Sequence, residues 1–256
     1  MSRSFKAEIR ENRPVNSNHN LLTLAPLDIM VEPRPGQFYM LEISRGLDPL
    51  LKRAFSLFRR TSDGFQILYR IKGKGTSILR ELKEGTLISL LGPLGNGYPL
   101  PAENQAALVI AGGIGIASVF SLVEKLEKKA HLFYGARLGD EIFMTDEMSG
   151  RYRELIVCTD DGSCGRKGTV VDALNDFLGH ASLEVREPVI YACGPQPMLR
   201  EISRIAVAKG ITAYLSLEEH MACGIGACLG CVVKTKDGYR RVCKEGPVFE
   251  AGEIVW

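Results

Sequence analysis

The chain reads as a multi-domain α+β and α/β protein: an antiparallel β-barrel, then a parallel-sheet α/β domain, then a small module at the C-terminal end. Three observations predict this. Residues 1–98 carry short, often alternating apolar runs separated by Pro and Gly, the pattern of antiparallel strands. Residues 99–217 alternate continuous apolar runs with amphipathic stretches, as buried parallel strands covered by helices require. Residues 218–256 abandon both patterns and hold four of the seven cysteines.

The barrel strands are expected over 5–11, 21–24, 37–43, 53–58, 65–71 and 87–91, with a short helix at 76–82 after Gly73-Lys-Gly75. The pattern breaks at Gly92-Pro-Leu-Gly-Asn-Gly97, which places the first domain boundary. Strands at 108–111, 131–134, 155–159, 189–192 and 213–217 then alternate with helices at 117–128, 170–177 and 197–209. In the last module, 232–234 and 239–242 flank a turn at 236–238 and form a hairpin.

Composition narrows the function classes. An apolar fraction of 45% with 24% charged residues belongs to a globular chain able to bury a core. The 32 basic and 30 acidic residues nearly cancel, so no electrostatic footprint for nucleic acid exists. The charged N-terminal stretch lacks the apolar run of a secretory signal, and a reducing cytoplasm is the expected compartment. Residues 106–123 contain no charge and approach membrane-spanning length, but Gly112, Gly113 and Gly115 interrupt them. A strand, a glycine turn and a helix account for that segment without a membrane. His19, His131, His180 and His220 form no metal-ligand pair and suit no hydrolytic triad.

The cysteine spacing is the strongest chemical signal. Cys223-x4-Cys228-x2-Cys231-x11-Cys243 has the x4, x2 and distant fourth thiol of plant-type [2Fe–2S] ligation. Gly224, Gly226 and Gly230 let the loop wind tightly and aim N–H groups at sulfur, while the hairpin returns Cys243 beside Cys231. A zinc site built from the same four cysteines is the competing reading, although zinc sites usually use two closely spaced pairs.

Arg53-Ala54-Phe55-Ser56 opens a barrel strand with a guanidinium, an aromatic ring and a hydroxyl in four residues. These could serve a flavin dinucleotide: Arg53 on pyrophosphate, Phe55 on the ring, Ser56 as a hydrogen-bonding group. Leu68-Tyr69-Arg70 adds a second basic residue, and Gly75-Thr76 begins a helix suited to phosphate. In the α/β domain, Gly112-Gly113-Ile-Gly115 follows a strand and opens a helix, the context for a dinucleotide pyrophosphate, or alternatively a tight packing turn. Cys193-Gly194-Pro195 ends another strand; Cys193 either faces a nicotinamide as a catalytic residue or is a small buried side chain. Arg137, Asp160 and Asp161 are candidates to border the adenosine ribose.

Taken in order, Arg53-x-Phe-Ser56, Gly75-Thr76, Gly112-Gly-Ile-Gly115 and Cys193-Gly-Pro195 resemble the ferredoxin–NADP reductase superfamily, with Ser118 and Phe55 standing where it often has Pro and Tyr. Met221-Ala-Cys-Gly-Ile-Gly-Ala-Cys-Leu-Gly-Cys231, running on to Phe249, resembles the electron-transfer subunits of class 1B dihydroorotate dehydrogenases. The resemblance covers essentially the whole chain. It implies FAD on the barrel (1–98), NAD on the α/β domain (99–217) and [2Fe–2S] in the last module (218–256). It also implies an FMN-bearing catalytic partner that oxidises dihydroorotate for pyrimidine biosynthesis, commonly in a two-plus-two heterotetramer. Two alternatives stand beside it: a reductase subunit of another complex, of sulfhydrogenase or ferredoxin:NAD(P) oxidoreductase type, and a zinc-stabilised non-enzymatic binding protein.

Overall fold

The computed structural model describes residues 3–28, 31–44, 46–180 and 187–256. The first part contains β1 (Arg3–Asn16), β2 (His19–Pro26), β3 (Phe38–Glu42), β4 (Arg53–Ser56), β5 (Arg59–Arg60), β6 (Phe65–Arg70), helix α1 (Lys74–Glu81) and β7 (Leu87–Leu94). These strands form one antiparallel sheet in the order β4-β3-β7-β1-β2-β6-β5. The sheet curls on itself because the chain leaving β4 changes partner. Leu57 N–H donates to Gln37 O, and the next residue, Phe58, donates to Gln66 O on β6. Alternate side chains of each strand fill the barrel, among them Ile9, Leu22, Tyr39, Leu41, Ile67, Tyr69 and Leu90.

The second part contains β8 (Ala106–Gly112), α2 (Ile116–Lys125), β9 (Ala130–Ala136), α3 (Thr145–Met148), β10 (Glu154–Thr159), β11 (Arg166–Lys167), α4 (Val170–His180), β12 (Pro188–Cys193), α5 (Gln196–Lys209) and β13 (Thr212–Ser216). The sheet order is β11-β10-β9-β8-β12-β13, all parallel, closed at one edge by an antiparallel strand from the last module. Leu108 and Ile110 pack with residues of α4 and α5, whereas Ala107, Val109 and Ala111 pack with α2. Helices therefore cover both faces, as the unbroken apolar strands demand. The chain moves outward from β8 through β9 to β10, then returns to place β12 on the other flank of β8. The order reverses between β8 and β12, and ligands bind open α/β sheets at such a point.

The last module contains β14 (Val232–Thr235), β15 (Gly238–Arg241) and β16 (Val248–Glu250). β14 and β15 form the expected hairpin. β16 departs from the expected division, because it pairs with β13 and so completes the sheet of the α/β domain. The apolar core is shared as well: Phe38, Met40 and Leu94 of the barrel, Leu215 and Leu217 of the sheet, and Cys231, Val242 and Cys243 of the module belong to one buried cluster. The glycine-interrupted segment 106–123 is β8, a 3₁₀ turn and α2. Among the described residues, no helix is long and apolar enough to cross a membrane.

A candidate cluster loop, flavin seam and dinucleotide cleft

The four cysteines lie as two pairs, and among the described residues no three metal-ligating side chains stand together as one group. Hairpin pairing sets Val232 opposite Arg241, and Val242 N–H donates to Cys231 O at 2.8 Å. Cys231 and Cys243, each 2% exposed, are thereby brought into thiol contact. Burial first, and then the adjoining Cys231, pushes the Cys243 thiol up to about 12, so a thiolate there needs a compensating cation. The second pair lies in the glycine loop. Cys228 N–H donates to Cys223 Sγ at 3.4 Å. Burial acts upward on Cys223, but the N–H groups of Ile225, Cys228 and Ala227 outweigh it and bring the thiol down to about 6. This donor set fits a binuclear iron–sulfur cluster, in which each iron takes two thiolates and backbone N–H groups face sulfur.

Local packing explains the glycines. Gly224 has φ +72°, and a Cβ on it would stand 2.6 Å from Met40 Cγ, so the loop seats directly on barrel strand β3. Gly226 has φ +83°, and its carbonyl accepts from Arg241 Nη1 at 2.9 Å. Arg241 also pairs with Glu245, through Nε at 3.0 Å and through Nη2, which ties loop to hairpin.

On the barrel, Arg53 Nη1 donates to Leu51 O at 2.6 Å, and its side chain crosses the face of Gly75, whose Cβ would meet Arg53 Nε at 2.9 Å. The sequence motif and the glycine before the helix are thus neighbours in space. Ala54 is exposed, Phe55 and Ser56 are half-buried, and the Phe55 ring meets Tyr69 edge-on at 5.7 Å. Beyond Gln66, the β4-facing edge of β6 has no ladder partner among the described residues. The seam between β4 and β6 therefore offers unpaired main-chain groups beside a guanidinium and a ring, which fits a flavin dinucleotide.

Not every residue of the motif faces outward. Leu68 and Tyr69 are buried on opposite sides of β6, with Tyr69 donating from its hydroxyl to Asn12 Oδ1 at 3.0 Å. Only their backbone can reach a ligand. The Thr76 hydroxyl accepts from Lys72 N at 2.9 Å and Gly73 N at 3.1 Å, so it shapes the turn into α1 rather than standing free for phosphate. The Arg70 side chain makes no hydrogen bond or ion pair among the described residues, and Arg70 lines a cleft of about 1110 Å³.

That cleft runs along the carboxyl edge of the parallel sheet and is lined by Gly112, Gly113, Gly115, Gly194 and Pro195. Their glycine identities have separate causes. Gly113 has φ +52° and nothing within 4 Å of its would-be Cβ, so it leaves an open floor. Gly112, Gly115 and Gly194 are glycine because the two loops press on each other: a Cβ on Gly194 would meet Gly112 Cα at 3.0 Å, and one on Gly112 would meet Pro195 Cδ at 2.7 Å. α2 runs on directly from the 3₁₀ turn Gly113–Gly115, with the Ile116 N–H bonded to Gly113 O, and no side chain caps the start of either, a helix start suited to a pyrophosphate.

Cys193 does not line the cleft. It is 1% exposed, behind the wall, in contact with Ser118 and Ser216. Burial, then the charge of Glu218, pushes its thiol up to about 12. A thiol so placed, with its pKa raised by burial, packs behind the Gly194–Pro195 loop. The Ser118 hydroxyl donates to Ser216 Oγ at 3.2 Å, which gives a buried partner at the position where the superfamily often has Pro.

Arg137 and Asp160 line the far end of the cleft, beyond β9 and β10, whereas Asp161 is occupied by Ser163 N and Oγ at 3.0 and 2.6 Å. His220 is exposed and lies outside the cleft lining. Sequence reasoning missed His19 and Glu218, both in the cleft. Glu218 follows the strand end at 217, and the rule that ligands gather beyond strand carboxyl ends would have marked it.

Comparison with known proteins agrees with this arrangement. A family profile described as "Iron-sulfur cluster binding domain of dihydroorotate dehydrogenase B" matches residues 218–255, and one described as "Oxidoreductase NAD-binding domain" matches 109–204. The chain is 36% identical over 256 residues to the "Dihydroorotate dehydrogenase B (NAD(+)), electron transfer subunit" of Caldanaerobacter subterraneus subsp. tengcongensis, covering 98% of each chain. It is 40% identical over 245 residues to the subunit of the same name from Geobacillus kaustophilus, covering 91% of each. Among solved structures, that of an NADH-dependent reduced ferredoxin-NADP oxidoreductase, described for flavin-based electron bifurcation, superposes with a TM-score of 0.85 at 28% identity. The match covers 98% of this chain and 90% of that one. The chain belongs to the family of dihydroorotate dehydrogenase B (NAD(+)) electron transfer subunits.

Proposed function

We propose that this chain is the electron-transfer subunit of a cytoplasmic complex in which a partner subunit bearing FMN oxidises dihydroorotate and the electrons reach NAD+. The observation that carries the reading is the presence in one chain of three sites, namely two thiol pairs on a loop seated on Met40 of the barrel, the β4–β6 seam, and the cleft at the sheet's switch point, with the thiol loop and the parallel sheet sharing one buried core. Bound FAD exchanges one or two electrons and so links a one-electron cluster to two-electron nicotinamide chemistry.

The chain's own residues do the rest. Cys223 and Cys228 would hold one iron, Cys231 and Cys243 the other. Arg53 would hold the flavin pyrophosphate over Gly75, while Phe55 and Ser56 flank its ring and the backbone of Leu68 and Tyr69 closes the seam. Gly113 and the N-terminus of α2 would take the NAD pyrophosphate, and Cys193, Ser118 and Ser216 would hold the 194–195 loop at the right height. A two-plus-two heterotetramer with the catalytic partner completes the proposal.

The test is to purify the flavin- and iron-loaded chain alone and with its co-purifying partner. The chain alone should oxidise NADH with artificial acceptors and leave dihydroorotate untouched. Dihydroorotate turnover by the single chain would contradict the proposal. A second reading, a subunit that serves a ferredoxin-linked complex, is favoured by the 0.85 superposition on the ferredoxin-NADP oxidoreductase. Recovery of a partner without FMN would select it.

A further inference from the structure

We propose that Arg241 tunes the reduction potential of the cluster from outside the ligand set: its guanidinium, bonded to the Gly226 carbonyl, polarises the loop that carries Cys223 and Cys228 and so favours the reduced cluster. The inference rests on the reading of the four thiols as a binuclear cluster and adds to it a group that sets how readily the cluster takes an electron.

Connectivity comes first. Arg241 Nη1 donates to Gly226 O at 2.9 Å. That carbonyl and the N–H of Ala227 belong to one peptide group, and the Ala227 N–H is among those that face the Cys223 sulfur. The N–H of Gly226 itself faces Cys243, so Gly226 stands between the two thiol pairs. Gly226 has φ +83°, and successive N–H groups around such a residue form a concave donor for a negative group.

Placement comes second. Glu245 grips the guanidinium through Nε at 3.0 Å and through Nη2, and also accepts from Arg241 N at 2.8 Å. The two side chains are 27% and 28% exposed, so the pair is only partly screened by water. A planar fork held in this way presents Nη1 to Gly226 O in one fixed direction, which an ammonium does not copy. Lys244 is the contrast. Its stem also crosses Gly226, with Cδ 2.8 Å from the would-be Cβ, but its ammonium makes no hydrogen bond or ion pair among the described residues.

The chemistry then follows. Reduction adds one negative charge to the cluster, and N–H groups aimed at sulfur stabilise the more negative state. An N–H whose own carbonyl is held by a cation is the stronger donor, because the peptide is polarised. Arg241 therefore raises the potential. Glu245 brings a negative charge to the same guanidinium and lowers it, while keeping the fork in place.

The experiment is an anaerobic potentiometric titration of the flavin- and cluster-loaded full chain, with the cluster followed by low-temperature EPR and iron measured in each variant. Arg241→Gln should lower the ratio of reduced to oxidised cluster at a fixed potential by about tenfold, the size expected of one partly screened charge, which is about 59 mV for one electron. Arg241→Lys, which keeps the charge without the fork, should lower the ratio by less. Glu245→Gln should raise it, and Lys244→Gln should move it less than Arg241→Gln does. An unaltered potential in both Arg241 variants, a shift of the same sign in Glu245→Gln, or an equal shift in Lys244→Gln would overturn the inference. If Arg241→Gln does not retain iron, the opposite signs of Arg241→Lys and Glu245→Gln decide. Absence of a reducible iron cluster from the unsubstituted chain would instead overturn the reading of the thiols.

Discussion

Replacing Gly115 by Ala perturbs the dinucleotide cleft at its tightest point. The new Cβ would stand 2.5 Å from the Cys193 carbonyl carbon and 2.9 Å from Gly194 N. Carbon atoms settle at about 3.5 Å, so the loops after β8 and β12 would have to part by about 1 Å. Both neighbours are backbone, and no rotamer change relieves the contact. Overpacking of this kind costs about 1–3 kcal/mol, which for a chain of this size lowers Tm by about 2–4 °C per kcal/mol. The functional loss should be larger, since a displacement of about 1 Å in a positioning element can cost about a hundredfold in rate. The assay is NADH oxidation with an artificial acceptor, read beside flavin content, iron content and Tm. We expect kcat/KM for NADH to fall by about two orders of magnitude with flavin and iron retained. An unaltered kcat/KM would show that the two loops do not form the nucleotide floor, and loss of flavin would show that the cleft and the barrel seam are not separate sites.

Three further substitutions test other parts of the account. Arg53→Gln removes the guanidinium that crosses Gly75; charge-assisted hydrogen bonds contribute about 1.5–3 kcal/mol, so flavin should be lost on gel filtration while the cluster's visible absorbance persists. Arg241→Leu deprives Gly226 O and Glu245 of their partner, and the cluster should be stripped faster by a chelator, with a stability loss of about 1–3 kcal/mol by thermal melt. His19 accounts for a pH effect. Burial first and Arg70 second hold its imidazole below the ordinary value, with Glu141 opposing. The unfolded chain therefore takes a proton that the folded chain resists, and stability declines as pH falls below about 6.5. His19→Gln should flatten the fall in Tm between about pH 7.5 and 5.5; an unchanged slope would remove His19 from the explanation.

What the sequence made legible was periodicity and spacing. The parallel strands were visible because they are buried on both faces, and helices α2, α4 and α5 because their apolar stripes are long. β1 is twice the expected length: register shifts near Ile9 and Pro14 break the alternation, so the pattern ends before the pairing does. β5 and β11 have two residues each and carry no period. β16 escaped because its partner, β13, is more than thirty residues away in sequence, and nothing local reports the pairing. At the site, the cysteines were legible from spacing alone, since ligand geometry fixes it. The sequence marks the glycines by their place after strands, but for Gly112, Gly115 and Gly194 the steric cause is loop against loop, which only three dimensions reveal. Cys193, Leu68 and Tyr69 show the converse, for a motif names positions and burial decides which of their atoms face a ligand.

The central claim is that the two thiol pairs hold a binuclear iron–sulfur cluster in electronic contact with flavin and nicotinamide. Low-temperature EPR of the flavin-loaded chain, titrated anaerobically with NADH and read beside metal analysis, tests it most directly. The account predicts two irons per chain and a reduced-cluster signal that grows with added NADH. Zinc in place of iron, or an iron cluster that stays oxidised while NADH reduces the flavin, would contradict it.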